Sequence, residues 1–361
     1  MINSVYIHIP FCKTICTYCD FCKFIYNDEW AKDYLDKLEL EIRDRYMDDE
    51  IKTIYIGGGT PSCLKETELN RLFEIIKIFN FSSEIEFTFE CNLEDITEKL
   101  VSTLKENKVN RISIGVESFD KKNLELMNRH IDYVDLENKM KLIRSYGINN
   151  INLDLIYALP NENLKTLKKD VKLLLKLNPE HISTYSLILE EHTFLSVNNT
   201  KNIEEDLDYE MYKYICKKLK KSGYNHYEIS NFSKSGYESK HNKTYWHNKE
   251  YYGFGAGASG YVCGVRYDNT RSLSKYIEAD IFSKKEILSK EDIMDYHIIL
   301  GLRLTKGINV EEFYDLYNVN IFERYPLNGL IKYKDLIYDN GYIYINPDKL
   351  YLMNEILNKC V

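Results

Sequence analysis

An α/β fold, a parallel sheet with helices outside it, is predicted by three observations on the sequence. Short, mostly apolar runs rich in β-branched and aromatic residues recur at 5–9, 53–56, 84–89, 111–116, 151–156 and 181–187. Helix-length amphipathic runs at 28–45, 66–79, 97–107, 134–146 and 164–177 separate them. Polar or glycine-rich segments begin where the strand runs end, at Gly57–Gly59, Glu90, Glu117 and the Pro160 loop. Strands that alternate with helices pair in parallel, because a crossover helix returns the chain to the same end of the sheet. Six such units suit a doubly wound sheet or a partly closed barrel, and periodicity does not choose between them. Either one gathers its ligands at the C-terminal ends of the strands.

Each element has a local reason. In the first strand, alternation puts Tyr6 and His8 on one face. In the first helix Trp30, Tyr34, Leu38 and Ile42 share a face, and Asp28 is the expected N-cap. Gly147 and Pro179 stand just past two later helices as stop signals. After residue 190 the rhythm changes to a helix over 204–222 and a strand over 224–229. The stretch 230–264 is rich in His, Tyr, Asn and Gly and has no long periodic element. Helical patterning returns near residue 290, a hairpin strand follows at 342–345, and the tail reads as a small helical or winged domain.

Composition narrows the function classes. A net charge of −8 argues against a broad nucleic-acid surface, and the Lys168–Lys169 and Lys217–Lys218 pairs read as solvated helix faces. No stretch approaches the eighteen apolar residues of a membrane span, and no leader pattern precedes the first strand, so a cytoplasmic location is expected. The 31 tyrosines suit a hydrogen-bonded core or a site for a flat ligand. Four of nine cysteines fall between Cys12 and Cys22, which points to metal or redox chemistry rather than disulfides. Cys63, Cys91, Cys216, Cys263 and Cys360 are scattered and read as ordinary thiols.

Cys12, Cys16 and Cys19 follow the first strand with three and two residues between them, a spacing that can wrap thiolates around one compact cluster. Soft thiolates suit iron–sulfur clusters and zinc alike, but structural zinc sites generally take four ligands in two separated pairs. A [4Fe–4S] cluster is the expectation, with zinc or a redox thiol group as alternatives. Three cysteines leave one iron open to a ligand with an amine and a carboxylate, which would place a sulfonium beside it. Cys22 is the geometric alternative as a fourth ligand.

Cys12-Lys-Thr-Ile-Cys16-Thr-Tyr-Cys19 resembles the cluster motif of the radical S-adenosylmethionine superfamily. Tyr6-Ile-His-Ile-Pro-Phe-Cys12, Gly57-Gly-Gly-Thr-Pro61, Gly115-Val-Glu-Ser-Phe119, Asn152-Leu-Asp-Leu-Ile-Tyr157, Tyr227-Glu-Ile-Ser-Asn-Phe232 and His241-Asn-Lys-Thr-Tyr-Trp246 extend the likeness in order along nearly the whole chain. Together they resemble the oxygen-independent coproporphyrinogen III oxidase group, and within it the heme-chaperone branch. The true oxidases carry a fourth cysteine two residues past the third. Here that position is Phe21, the chaperone pattern, and Cys22 is one step late for either.

The resemblance implies a partial (β/α)₆ radical S-adenosylmethionine barrel over 1–190. It further implies a barrel extension with a candidate heme-binding segment over 191–289 and a coproporphyrinogen oxidase-like accessory domain over 290–361. It implies that Cys12, Cys16 and Cys19 hold the cluster, and that Tyr6, Gly58, Gly59, Thr60, Glu90, Glu117, Arg129 and Asp154 bind S-adenosylmethionine. Gly58 and Gly59 would meet its amino-acid end and Asp154 its ribose. Read as residues alone, the glycines make a tight strand-to-helix turn without a phosphate-loop pattern. Asp154 and His8 likewise read as hydrogen-bonded core groups, with a substrate-facing role as the alternative for His8. The family usually has glutamine where Glu117 stands and more often histidine where Ser259 stands.

His241, Tyr245 and Trp246 resemble the segment associated with heme binding in the chaperone branch, with His247 as a competing imidazole. Packing of the accessory domain is the plain alternative. The leading function is binding of heme as cargo and its transfer to an acceptor apo-hemoprotein, possible recipients including membrane respiratory proteins reached by transient membrane contact. An electron donor for the cluster and a homodimer are further expectations. The alternatives are oxidative decarboxylation of coproporphyrinogen III, which Phe21 disfavours, and an iron–sulfur scaffold or redox sensor.

Overall fold

The computed structural model describes residues 1–198, 200–278 and 281–361. All six expected strands form, as β1 (Ser4–Ile9), β2 (Glu50–Gly58), β3 (Asn80–Cys91), β4 (Arg111–Glu117), β5 (Asn150–Tyr157) and β6 (His181–Ser186). They pair in parallel in chain order. Three short strands extend the sheet: β7 (Asn225–Glu228), β8 (Asn231–Ser233) and β9 (Tyr252–Phe254). The order is β9-β1-β2-β3-β4-β5-β6-β8-β7, with β9 parallel to β1 and β8 antiparallel to β6. This is a partial (β/α) barrel. Sequence pattern finds β7 but neither β8 nor β9, since a three-residue strand such as Tyr252-Gly253-Phe254 is too short to show a period.

Helices α1 (Asp28–Arg45), α2 (Glu66–Ile76), α3 (Glu98–Glu106), α4 (Tyr133–Ser145) and α5 (Leu164–Leu177) lie in the five predicted runs. One cap differs from expectation. Asn27, not Asp28, accepts from the Trp30 N–H, and Asp28 sits in the first turn, where a carboxylate favours the helix dipole. Trp30 is also half exposed, because the face that meets the core starts at Ala31 and runs through Tyr34, Leu35, Leu38, Glu41 and Ile42.

Glu41 is a carboxylate on that buried face. It accepts hydrogen bonds from Gly255 N–H (2.9 Å), Asn269 Nδ2 (2.8 Å) and the Tyr276 hydroxyl (2.6 Å), and it pairs with Arg45. One acidic side chain thus fixes the segment that leads from β9 into a three-stranded antiparallel sheet (Ser259–Val262, Val265–Asn269, Phe282–Ile287).

The tail has its own apolar cluster, centred on Met294, Ile298, Leu302, Phe313, Leu327 and Ile343. Helices at Lys290–Gly301, Val310–Tyr317 and Leu327–Lys332 pack on a three-stranded sheet whose hairpin turns at Asn340-Gly341, both with positive φ (48° and 79°). This is the winged arrangement the sequence suggests. Among the described residues, no helix is long and apolar enough to cross a membrane.

Removing the Glu41 carboxylate leaves three buried donors and a guanidinium unpaired. Glu41→Ala is expected to lower unfolding free energy by about 3–5 kcal/mol, read from the urea midpoint at unchanged slope.

Candidate functional site

The loop between Cys12 and Cys22 has little regular structure, so other elements must hold it. Thr17 donates through its N–H to Met127 O (3.3 Å) and through its hydroxyl to Leu126 O (2.7 Å). Asn128 Nδ2 reaches Ile15 O at 3.0 Å, and Leu195 N–H reaches Thr17 O at 3.2 Å. At the far end the buried His8 places Nε2 2.7 Å from Cys22 O, and Arg271 binds the Asp20 carbonyl. The anchors come from the end of the helix Lys121–Met127, the short helix Phe194–Val197, the end of β1 and the segment that follows Val265–Asn269.

These anchors bring Cys12, Cys16 and Cys19 to the wall of a cavity of about 430 Å³ at the C-terminal ends of β2 to β6. All three thiols are free. Thr60 Oγ1 lies 3.6 Å from Cys12 Sγ, and Arg129 Nη1 lies 3.3 Å from Cys16 Sγ. Burial pushes the Cys12 thiol up to about 11, opposed by the Thr60 hydroxyl, so a bound metal must displace its proton. Gly58, Gly59, Thr60, Glu90, Glu117, Arg129 and Asp154 stand on the same wall. Tyr6 does not; it faces a second cavity.

The glycines are forced by packing. Gly58 has φ of 115°, and a Cβ there would lie 2.5 Å from the His8 ring. At Gly59 a Cβ would meet Phe11 O at 2.7 Å, and that backbone cannot move aside because Thr60 N–H donates to it. Glu90 accepts from the Gly58 N–H (3.1 Å) and the Tyr55 hydroxyl (2.7 Å). Burial pushes its carboxyl up to about 7, while the Tyr55 hydroxyl bond pulls the other way. Glu117 has φ of 65° where the β4–β5 register slips, and its carboxylate accepts from the Tyr18 hydroxyl at 3.1 Å. Arg129 spans Gly115 O, Asn92 Oδ1 and Cys16 Sγ.

The cavity also has residues that the sequence reading passed over: Tyr55, Asn92, Arg111, Ser113, Asn152 and Ser183. Alternation within the strands carries the signal. Glu90, Ser113, Asn152 and His181 are successive register partners across β3 to β6. Asn152 Nδ2 donates to Ser113 Oγ and Asp154 Oδ1 (both 2.8 Å), and Asn152 Oδ1 lies 2.6 Å from His181 Nδ1. Apolar neighbours such as Ile112, Ile114 and Leu153 point outward into the core. A polar interior behind an apolar outer face marks a lined barrel rather than a filled one.

A second cavity of about 460 Å³ lies across the Asp20-Phe21 turn, which contributes to both walls. Its wall includes Tyr6, His8, Cys22, Tyr245, Trp246 and Ser259. Cys22 therefore faces away from the other three cysteines' cavity. His241 is buried and lies off both walls, with Nδ1 2.9 Å from Thr53 Oγ1 and Nε2 2.8 Å from the Tyr245 hydroxyl. It fixes Tyr245 from behind. His247 is exposed and on neither wall.

The residues fit the cofactors such a cavity implies. Three free thiols share one wall with a guanidinium against one of them, soft donors of the kind an iron–sulfur cluster takes. The buried Arg129 Nε has no hydrogen-bond partner among the described residues, so a donor beside the thiols remains for a bound anion.

Fold and site together define the class, a radical SAM protein. Residues 6–174 match the Radical SAM superfamily, and residues 288–352 match the HemN C-terminal domain. A heme chaperone HemW of Lactococcus lactis is 39% identical over 367 residues, spanning 99% of this chain and 97% of its own. One from Bacillus subtilis is 37% identical, spanning 98% and 96%. The radical SAM coproporphyrinogen III oxidase of Escherichia coli shares the fold at a TM-score of 0.87 and 21% identity, over 99% of this chain and 89% of its own. The chain belongs to the HemW family within the radical SAM superfamily, whose general cofactors are a [4Fe–4S] cluster and S-adenosylmethionine.

Alanine at Cys12, Cys16 or Cys19 is expected to cut iron and sulfide content sharply after anaerobic reconstitution, whereas Cys22→Ala retains both. Loss of the cluster in Cys22→Ala, by Mössbauer and metal analysis, would make Cys22 a ligand. A second expectation concerns pH. Glu90 rises from an unfolded value of about 4.3 to about 7, so between these values the folded chain holds the extra proton. Glu90's share of stability is thus full below that window, falls as pH rises through it and levels off above it. Urea titrations of metal-free protein across the window should show this slope weakened in Glu90→Gln.

Proposed function

We propose that this chain binds heme and passes it to an apo-hemoprotein, using the two cavities for separate tasks. In the first, Cys12, Cys16 and Cys19 would hold the cluster, and Glu90, Arg129 and Asp154, with Gly58, Gly59, Thr60 and Glu117, would orient S-adenosylmethionine. Bound together, cluster and S-adenosylmethionine supply one-electron chemistry at a sulfonium. Glu90 offers carboxylate oxygens to an ammonium, and Arg129 offers its free Nε–H to a carboxylate. Tyr6 enters this reading only through the Tyr55 ring, 6.1 Å away, whose hydroxyl holds Glu90.

The observation that carries the reading is the second cavity. Tyr245 and Trp246 line it, Phe21 stands 66% exposed at its edge, and its volume falls within the roughly 300–1,000 Å³ usual for small-molecule sites. Flat aromatic walls suit a porphyrin face. His241 supports Tyr245 in this arrangement rather than facing the cargo. The heme chaperones of Lactococcus lactis and Bacillus subtilis, alike over nearly full length, support the same reading. A membrane respiratory acceptor, an electron donor, a homodimer and a cytoplasmic location with transient membrane contact belong to the proposal on the family resemblance.

The test is an anaerobic assay on fully reconstituted protein in two arms. Heme titration is expected to saturate at one equivalent, with Trp246→Ala weakening affinity by roughly fivefold, about 1 kcal/mol. Supplied with reductant, S-adenosylmethionine and coproporphyrinogen III, the protein is expected to give no loss of carbon dioxide by mass. Repeated decarboxylation would make it an oxidase, and a cluster that neither binds heme nor couples to labelled S-adenosylmethionine would make it a scaffold.

A further inference from the structure

The second cavity has a chemical asymmetry. On its wall stand three cations, Lys249, Arg266 and Arg271, against one acid, Asp20. Two N–H donors there, Trp246 Nε1 and Arg266 Nε, are buried with no hydrogen-bond partner among the described residues. Aromatic faces beside surplus cations and unfilled donors describe a site for a flat, apolar molecule carrying carboxylates. Heme is such a molecule, and its iron takes imidazole, thiolate or phenolate ligands.

The hydrogen bonds discriminate among the donors. His8 has both nitrogens engaged, Nδ1 with the Tyr6 hydroxyl (2.9 Å) and Nε2 with Cys22 O (2.7 Å). His241 is equally engaged and lies off the wall. Breaking either set would release the cluster loop or Tyr245. Cys22 differs, because its thiol only donates, to Arg271 O at 3.4 Å, and the sulfur lone pairs stay unused. The sulfur is held in place by Gly257, where an added Cβ would lie 2.4 Å from Cys22 Cβ and 3.0 Å from its Sγ.

We propose, resting on the heme reading above, that Cys22 ligates the iron of heme bound in this cavity, with Arg266 and Arg271 facing its propionates. Binding forms an S–Fe bond and breaks the S–H bond, with the proton leaving to solvent and no change in iron oxidation state. Cys22 and Cys19 then serve opposite sides of one short turn, one toward cargo and one toward the cluster.

Full-length protein carrying its cluster is titrated with ferric heme and followed by absorption and electron paramagnetic resonance. Wild type is expected to show the low-spin signature of thiolate ligation. Cys22→Ala is expected to lose it and bind at least tenfold more weakly at unchanged iron–sulfide content, and Cys22→His to bind with an imidazole signature instead. Arg266→Gln should weaken heme severalfold while leaving heme dimethyl ester unaffected. A wild-type spectrum preserved in Cys22→Ala, or a phenolate signature abolished by Tyr251→Phe on the same wall, would overturn the ligand assignment while the heme reading stands. Absence of any heme binding by wild type would overturn both.

Discussion

Three thiols on an irregular loop must be held in one place, and the rest of the site is arranged around that requirement. A loop has no ladder of its own to satisfy its peptide groups. Here the end of the helix Lys121–Met127 and the segment near Leu195 take up the middle of the loop, and His8 takes up its end. Histidine suits this last task because burial holds its pKa down to about 4, so the ring is neutral and has one donor and one acceptor at fixed angles. Gly58 leaves room for that ring. A substitution at Gly58 would therefore disturb the cysteine loop through His8, two contacts away.

The same turn that ends the cysteine motif divides the interior. One side holds buried carboxylates, Glu90, Glu117 and Asp154, all pushed upward by burial. The other is ringed by cations and aromatic faces. The balance of charge thus differs between the cavities, acids outnumbering cations on the first wall and cations outnumbering acids on the second. The first cavity also carries Arg111 and Arg129 beside its carboxylates, so it presents both signs of charge, whereas the second has a single acid on its wall.

Much of this was legible in the residues. The six parallel strands and five helices follow from period alone, since each strand is buried on both sides or lines the barrel. The cysteine spacing marked the loop whose three thiols share one cavity wall, and the glycine run marked the close backbone approach. What escaped had physical reasons. Strands β8 and β9 are too short for a pattern, and their place depends on β6 and β1 rather than on their own composition. Arg111 and Asn152 sit in apolar-looking strands, and only register with neighbours shows that Asn152 joins Glu90 and Ser113 in one interior row, while Arg111 lies beside Thr88 two residues earlier. His241 read as a packing residue on its own and as a heme candidate only through the family resemblance, and its bonds to Thr53 and Tyr245 could not be read from its type.

The ninth strand has a consequence in time. β1, which leads into the cysteine loop, leaves the ribosome before its edge partner Tyr252–Phe254, which follows more than two hundred residues later. Until then one side of β1 has exposed backbone groups, and Gly255 and Gly257 are not yet packed against His8 and Cys22. Earlier strands can assemble as they appear, but the wall between the two cavities closes only after Tyr252–Phe254 has emerged. A truncated or stalled chain would present thiols without their enclosure, open to oxygen and to the wrong metal.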